Sequence, residues 1–194
     1  MTSGTAPRRP AHAILRFPGP TQPLRLLVPN ARFPQFPDCD RTMNFDTARA
    51  TMIEQQIRPW EVLDPRVLDA LGQVRREDFV PSVYRSLAFA DTALPLEHGE
   101  AMLKPVVEGR ILQALDLNAS DDVLEIGTGS GFLSACLAYL ANSVTSIDIH
   151  SGFIETARPR RVAAGAGNVR LEVGDALEWS AGRQFHAVCV GGAV

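Results

Sequence analysis

The chain has 194 residues and a mass of 21.1 kDa, with 45% hydrophobic and 21% charged residues, a composition typical of one globular domain. Its 19 basic and 22 acidic residues give a net charge of -3, which argues against binding to nucleic acid or to an anionic membrane. The three cysteines, at 39, 136 and 189, form no CxxC pair, which argues against a disulfide framework or a zinc site and favours a reducing, cytoplasmic location.

Residues 1–42 differ from the rest of the chain. They hold eight of the 14 prolines and carry a net charge of +4, whereas residues 43–194 carry a net charge of -7. Prolines at this density remove backbone donors, so we predict a disordered extension, and we take Met43 as the native start. No apolar run is long enough for a signal peptide or a membrane span, which predicts a protein that is not bound to membranes.

The segment 43–104 is predicted to be helical and then loop-like. Apolar residues recur at helical spacing over 48–57 and again after Asp64-Pro65, which is the pattern of a capped helix with proline at its first position. Loops and short extended pieces follow from 79–81 to Pro105. A further helix is predicted to begin there and to end before Ser120.

Residues 105–194 show alternating strands and helices. Four runs rich in Val and Ile, at 123–126, 144–149, 169–173 and 186–190, are separated by helical or loop segments. Crossovers of this length predict an α/β fold with a parallel sheet covered on both faces. Pro159 falls inside the helix expected between the second and third runs, so we expect that helix to break there.

A glycine-rich turn follows the first of these strands. Gly127, Gly129 and Gly131 alternate between a strand and an apolar helix, which is typical of nucleotide binding. The dinucleotide fingerprint needs a small third residue where Phe132 stands, so a nicotinamide-dependent oxidoreductase is the less favoured alternative. The G-x-G-x-G form, with Glu125 two residues before it, is the variant used for S-adenosylmethionine. The predicted binding residues of the turn also include Thr128.

Acidic residues at the ends of the next two strands complete the predicted site. Asp148 lies 21 residues after Gly127, where a carboxylate can accept hydrogen bonds from ribose hydroxyls. After the third strand, Asp175 is predicted to meet the adenine amino group, and Ala176 is also a predicted cofactor-binding residue. The histidines at 98, 150 and 186 are read as loop, turn and strand residues, and their spacing predicts no metal site.

Residues 46–194 resemble the protein-L-isoaspartate O-methyltransferase family. The resemblance rests on the order and spacing of five motifs, at 55–58, 64–70, 76–81, 90–100 and 123–131. It implies a Rossmann-like class I methyltransferase sheet and transfer of a methyl group from S-adenosylmethionine to the α-carboxylate of isoaspartyl residues in damaged proteins. The resemblance also implies that the resulting ester collapses to a succinimide, which can reopen to normal aspartate. Because a carboxylate is already ionised at neutral pH, the reaction needs alignment in a dry site and no strong base. We expect a monomer.

Two departures from the family pattern leave an alternative open. The loop 99–105 reads Gly-Glu-Ala-Met-Leu-Lys-Pro, so Leu103 stands at the position of the family's active-site serine and Glu100 adds a charge that repels an acceptor carboxylate. No catalytic side chain is therefore assigned. The family fold continues for three more strands beyond the run 186–190, so we expect a C-terminally truncated domain. The alternative is a non-catalytic or differently specific S-adenosylmethionine-binding remnant.

Overall fold

The computed structural model describes residues 44–180 and 182–192. The predicted disorder of residues 1–42 and the start at Met43 lie outside the described residues. The division of the remaining chain into 43–104 and 105–194 stays a prediction.

The N-terminal part of the described chain contains the two predicted helices. Helix α1 (Phe45–Met52) begins at Asn44, whose side chain accepts a hydrogen bond from the Thr47 amide at 3.1 Å. It continues into a π-helical turn (Ile53–Ile57) and a 3₁₀ turn, which the sequence did not distinguish from regular helix. Helix α2 (Pro65–Gln73) is capped by Asp64 and has proline at its first position, as predicted.

A small hairpin follows two 3₁₀ segments, Arg76–Asp78 and Ser82–Leu87. Strand β1 (Leu94–Pro95) pairs antiparallel with β2 (Ala101–Met102), and the Leu96 amide donates to the Glu100 carbonyl at 2.8 Å. The hairpin leads directly into helix α3 (Pro105–Leu115). The chain from residue 96 to residue 103 is thereby fixed at both ends.

The four predicted strands form one parallel sheet. Strands β3 (Asp122–Ile126), β4 (Ser143–Asp148), β5 (Val169–Val173) and β6 (Ala187–Val190) lie in the order β5-β4-β3-β6. Strand β4 is buried from Val144 to Asp148, as expected for a strand covered on both faces. Two boundaries were predicted wrongly: Ile149 lies beyond the end of β4 and is exposed, and His186 precedes β6, where its Nδ1 accepts from the Asp122 amide at 2.9 Å.

Helices α4 (Phe132–Leu140) and α5 (Ser151–Ala163) pack against β4 and β5. The prediction that α5 breaks at Pro159 was wrong, because the helix runs through this residue. Burial of Phe153, Ile154 and Ala157 holds the part before the proline. After it, Arg160 donates to the carbonyls of two other segments, so tertiary contacts offset the missing helical hydrogen bond.

One hydrophobic core joins the N-terminal helices to the sheet. Helix α2 contacts α3 and α4, and Phe79 packs edge-on against Phe132 with ring centroids 5.7 Å apart. This shared core holds the hairpin at the carboxyl edge of the sheet. Within the described part of the chain, no helix combines the length and the hydropathy needed to span a bilayer.

Candidate functional site

A cavity of about 320 Å³ lies at the carboxyl ends of the parallel strands. We call it the glycine-turn cavity, and its lining includes residues 127–130, 147–150, 174–177, 191–192 and 100–103. Open parallel sheets bind their ligands at this edge. The volume lies in the range of cavities that hold small molecules, which is about 300 to 1,000 Å³.

The three glycines of the turn have different roles. All three have left-handed φ values, of 94° at Gly127, 49° at Gly129 and 84° at Gly131. A side chain at Gly127 would lie 2.7 Å from the Cα of Gly192, and one at Gly131 would lie 2.9 Å from the Cβ of Ala157. The first and third glycines therefore allow close packing of the protein on itself, and both Gly127 and Gly129 border the cavity.

Asp148 is tied to the glycine turn. Its carboxylate accepts one hydrogen bond on each oxygen, from the Gly129 amide at 3.0 Å and from the His150 amide at 2.9 Å. The side chain is 7% exposed and lines the cavity. An ionised carboxylate has about four acceptor sites, so two bound amides leave capacity for hydroxyl groups of a ligand. This geometry suits the predicted ribose contact.

Asp175 and Ala176 also line the cavity, on the side of β5. The Asp175 carboxylate accepts a hydrogen bond from the Leu177 amide at 2.9 Å, and Asp175 is exposed at the rim of the cavity. The structure thus brings the turn residues 127–129 together with Asp148, Asp175 and Ala176. It does not place Glu125 or Gly131 in the lining of this cavity.

Glu125 lies beneath the glycine turn, fully buried on the same face of β3 as Val123. Ser134 donates to its Oε2, and the hydroxyl of Ser134 lies 3.3 Å from that of Ser146, which in turn lies 2.6 Å from the Thr128 hydroxyl. Within the described residues its Oε1 has no hydrogen-bond partner. Burial raises the pKa of Glu125 to about 7. Its contact with a cofactor stays a prediction, since the network reaches the cavity only through Thr128.

The 99–105 loop forms the opposite wall of the cavity. Leu103, at the position of the family serine, is half-buried and lines the cavity together with the exposed Glu100. The backbone carbonyl of Leu103 accepts from Nη2 of Arg76 at 2.7 Å, which fixes the loop to the core. Lys104 is exposed and occupies the N-cap position of α3, where its side chain makes no capping hydrogen bond.

Sequence reasoning missed several lining residues. His150 follows β4 directly and Gly191 and Gly192 follow β6, so the rule that ligands bind beyond strand ends could have found them. Glu108 is a different case, because an acidic residue in the first turn of a helix usually faces water. It is buried here, it lines the cavity and it forms an ion pair with Arg76.

The sheet order, the glycine turn after β3 and the acid at the end of β4 define a Rossmann-like class I methyltransferase fold. A solved structure agrees: a beta-aspartate methyltransferase of Plasmodium falciparum, in complex with S-adenosyl-L-homocysteine, superposes with a TM-score of 0.63 at 16% identity, over 77% of this chain and 73% of that one. Residues 47–194 match the profile of protein-L-isoaspartate(D-aspartate) O-methyltransferases. The chain belongs to this family.

Curated relatives support the same assignment. A protein-L-isoaspartate O-methyltransferase of Rhodopseudomonas palustris is 39% identical over 155 residues, which cover 79% of this chain and 63% of the relative. One of Methylorubrum populi is 38% identical over 149 residues, which cover 76% of this chain and 70% of the relative. The chain thus spans about two thirds of the length of these relatives.

Proposed function

We propose that this chain binds S-adenosyl-L-methionine and methylates the α-carboxylate of isoaspartyl residues in proteins. The observation that carries the proposal is the shared cavity, in which the glycine turn and Asp148 face the loop 99–105. In the family this loop holds the acceptor. Binding residues for a nucleoside and an acceptor loop therefore border one space.

The residues present fit the methyl donor. The glycine turn keeps its backbone close to the cavity, Asp148 retains free acceptor sites for ribose hydroxyls, and Ala176 offers a small side chain beside Asp175 where adenine is expected. When bound, the methyl donor supplies an electrophilic methyl group on a sulfonium. A nicotinamide dinucleotide fits less well, because Phe132 is fully buried against Phe79 where that class of site needs a small residue.

The residues of this chain position the reacting groups and exclude water. An acceptor carboxylate ionises far below neutral pH, so no general base has to be found in the cavity. Leu96, Met102 and Leu103 are apolar and close one side of the cavity, which favours a dry contact between the reacting atoms. Rate then arises from alignment, which Arg76 supports by holding the loop carbonyl of Leu103.

The test uses two assays on the full chain. Calorimetry with S-adenosyl-L-homocysteine measures binding of the methyl-donor product, and radiolabelled methyl transfer is measured with a peptide containing isoaspartate. The matched control is the same peptide with normal aspartate. We expect binding in the first assay and base-labile methylation of the isoaspartyl peptide alone. Equal labelling of both peptides, or of neither, would contradict isoaspartyl specificity.

A second candidate is a binding protein for the methyl donor without isoaspartyl transfer. It is favoured by Leu103, which lines the cavity with a methyl-terminated side chain where the family has a hydroxyl. This candidate predicts binding of S-adenosyl-L-homocysteine without methylation of the peptide. Leu103→Ser distinguishes the two, since a gain of transfer in this variant alone would assign the missing activity to the lost hydroxyl.

We further propose that the protein acts as a cytoplasmic monomer on isoaspartyl-containing proteins. Two observations support the location: Cys136 and Cys189, the cysteines in the described part of the chain, are buried free thiols, and the sequence has no CxxC pair. Light scattering after size exclusion tests the monomer, and cell fractionation tests the location. A stable dimer or a membrane-bound fraction would contradict the respective part of this proposal.

A further inference from the structure

Glu108 is a buried carboxyl group that borders the glycine-turn cavity. Glu108 is 2% exposed, yet it lines the cavity, whose lining also includes the apolar side chains of Met102, Leu103 and Leu133. A carboxyl group in such surroundings is costly unless something compensates its charge, so its position at a binding cavity calls for a physical reason.

Arg76 compensates this charge from the protein interior, outside the described lining of the cavity. Its Nη1 bonds to one Glu108 oxygen, its Nε donates to the Ala88 carbonyl at 2.8 Å and its Nη2 donates to the Leu103 carbonyl at 2.7 Å. Arg76 is 1% exposed and, unlike Glu108, is not in the described cavity lining. A ligand in the cavity therefore meets the carboxylate and not the guanidinium.

The sheet order places Glu108 at one end of the cavity. Asp148 and Asp175 lie beyond β4 and β5, whereas Glu108 belongs to α3, which contacts β6 on the other side of β3. An adenosine held at Asp148 and Asp175 leaves the rest of the methyl donor to extend over Gly127 towards Glu108. That remaining part is a methionine tail, and it ends in an α-ammonium and a carboxylate.

We propose that Glu108 binds the α-ammonium group of the methyl donor's methionine tail. An ammonium carries three N–H donors and a positive charge, and a buried carboxylate is its natural partner. Burial raises the pKa of Glu108 to about 8 while Arg76 opposes this rise, and a cation bound in the cavity favours the ionised form further. This inference rests on the proposed function, because it assumes that the cavity holds S-adenosyl-L-methionine.

The test measures binding contacts to the amino-acid tail separately from contacts to the nucleoside. S-adenosyl-L-homocysteine has the amino-acid tail and 5′-methylthioadenosine lacks it, so the ratio of their dissociation constants reports contacts to the tail alone. We expect Glu108→Gln to weaken binding of S-adenosyl-L-homocysteine by about tenfold, since a hydrogen bond to a charged group is lost, and to leave methylthioadenosine within about twofold.

Glu77→Gln is the matched control. Glu77 is also buried and paired with Arg49, at 2.5 Å, but it lies outside the described cavity lining, so this variant should leave the ratio unchanged. Parallel weakening of both ligands by Glu108→Gln would show a purely structural role and overturn the inference. So would an unchanged affinity for S-adenosyl-L-homocysteine.

A measurement on the unmodified chain covers the case in which Glu108→Gln fails to fold. An S-adenosyl-L-homocysteine analogue that lacks only the α-amino group should bind about tenfold more weakly than the parent compound. Equal binding of the two compounds would overturn the inference while leaving the proposed function intact. If the chain binds neither compound nor methylthioadenosine, the proposed function itself fails, and this inference fails with it.

Discussion

Replacing Glu125 by glutamine removes a titrating group from a fully buried position beneath the glycine turn. Burial raises the pKa of this carboxyl from its ordinary value of 4.5 to about 7, although the hydrogen bond from Ser134 opposes the rise. In the unfolded chain the same group ionises near its ordinary value. The folded protein therefore keeps a proton that the unfolded chain has already lost.

The sign of the pH dependence follows from this difference. Between about pH 4.5 and pH 7 the folded state binds more protons at Glu125 than the unfolded state, so stability falls as the pH rises. One pKa unit corresponds to about 1.4 kcal/mol, so the whole effect is about 3 kcal/mol. Below pH 4.5 the carboxyl is neutral in both states and the penalty vanishes.

The assay is urea unfolding of the wild type and of Glu125→Gln between about pH 4 and pH 8. The glutamine variant does not titrate, so its stability relative to the wild type should increase by about 3 kcal/mol across this range. Glu155→Gln is the control, because Glu155 is exposed on α5, and its difference from the wild type should stay nearly constant. A constant difference for Glu125→Gln as well would refute the reasoning, since it would mean that the buried carboxyl ionises as it does in water.

Four other substitutions have defined outcomes. Gly131→Ala should lower the free energy of unfolding by about 2 kcal/mol, because residue 131 has a left-handed φ and the added Cβ would lie 2.9 Å from the Cβ of Ala157. In the same urea unfolding experiment, the control Gly167→Ala should change this free energy little, because no atom lies within 4 Å of its added Cβ. Asp148→Asn should weaken binding of S-adenosyl-L-homocysteine about tenfold in calorimetry, because a charged acceptor is lost. Glu100→Gln should lower KM for an isoaspartyl peptide by a few-fold, corresponding to about 1 kcal/mol, and the gain should shrink at high salt. Pro159→Ala should raise the free energy of unfolding by up to about 3 kcal/mol, since α5 regains a hydrogen bond; an unchanged melting temperature would contradict this.

The sheet could be predicted from the sequence because its signal is local. Each strand is a short run of Val, Ile and other apolar residues bounded by turn residues, and the ends of each predicted run lie within one residue of the observed ends. The turn residues of the site were predictable for the same reason. They follow strands directly, and parallel strands bring their carboxyl ends to one edge.

Contacts between distant segments could not be read from local pattern. Arg76 and Glu108 are 32 residues apart, and each stands at the start of a helix, where charged residues usually face water. Only packing of α3 against the N-terminal segment buries both. The continuity of α5 through Pro159 is similar, since Arg160 holds the helix by bonding to Phe79 and Ser130.

The direction of Glu125 was, in contrast, available from the sequence. Side chains alternate along a strand, so Glu125 shares a face with Val123, and that face packs beneath helix α4. A residue on that face reaches the cavity only through its neighbours. The predicted contact of Glu125 with a cofactor stays a prediction, and in the structure the hydroxyls of Ser134, Ser146 and Thr128 lie between this carboxyl and the cavity.

The charges around the glycine-turn cavity act in opposite directions on the two expected substrates. Glu100, Asp148 and Asp175 all line it, so the cavity attracts a cation, whereas the charge of Glu108 is balanced by its ion pair with Arg76. S-adenosyl-L-methionine carries a sulfonium and an ammonium, and its demethylated product keeps only the ammonium, so these carboxylates favour the substrate form over the product. The same charges repel an acceptor carboxylate. Rising ionic strength should therefore weaken binding of the methyl donor while it strengthens binding of an isoaspartyl peptide, and parallel changes in both affinities would contradict this electrostatic account.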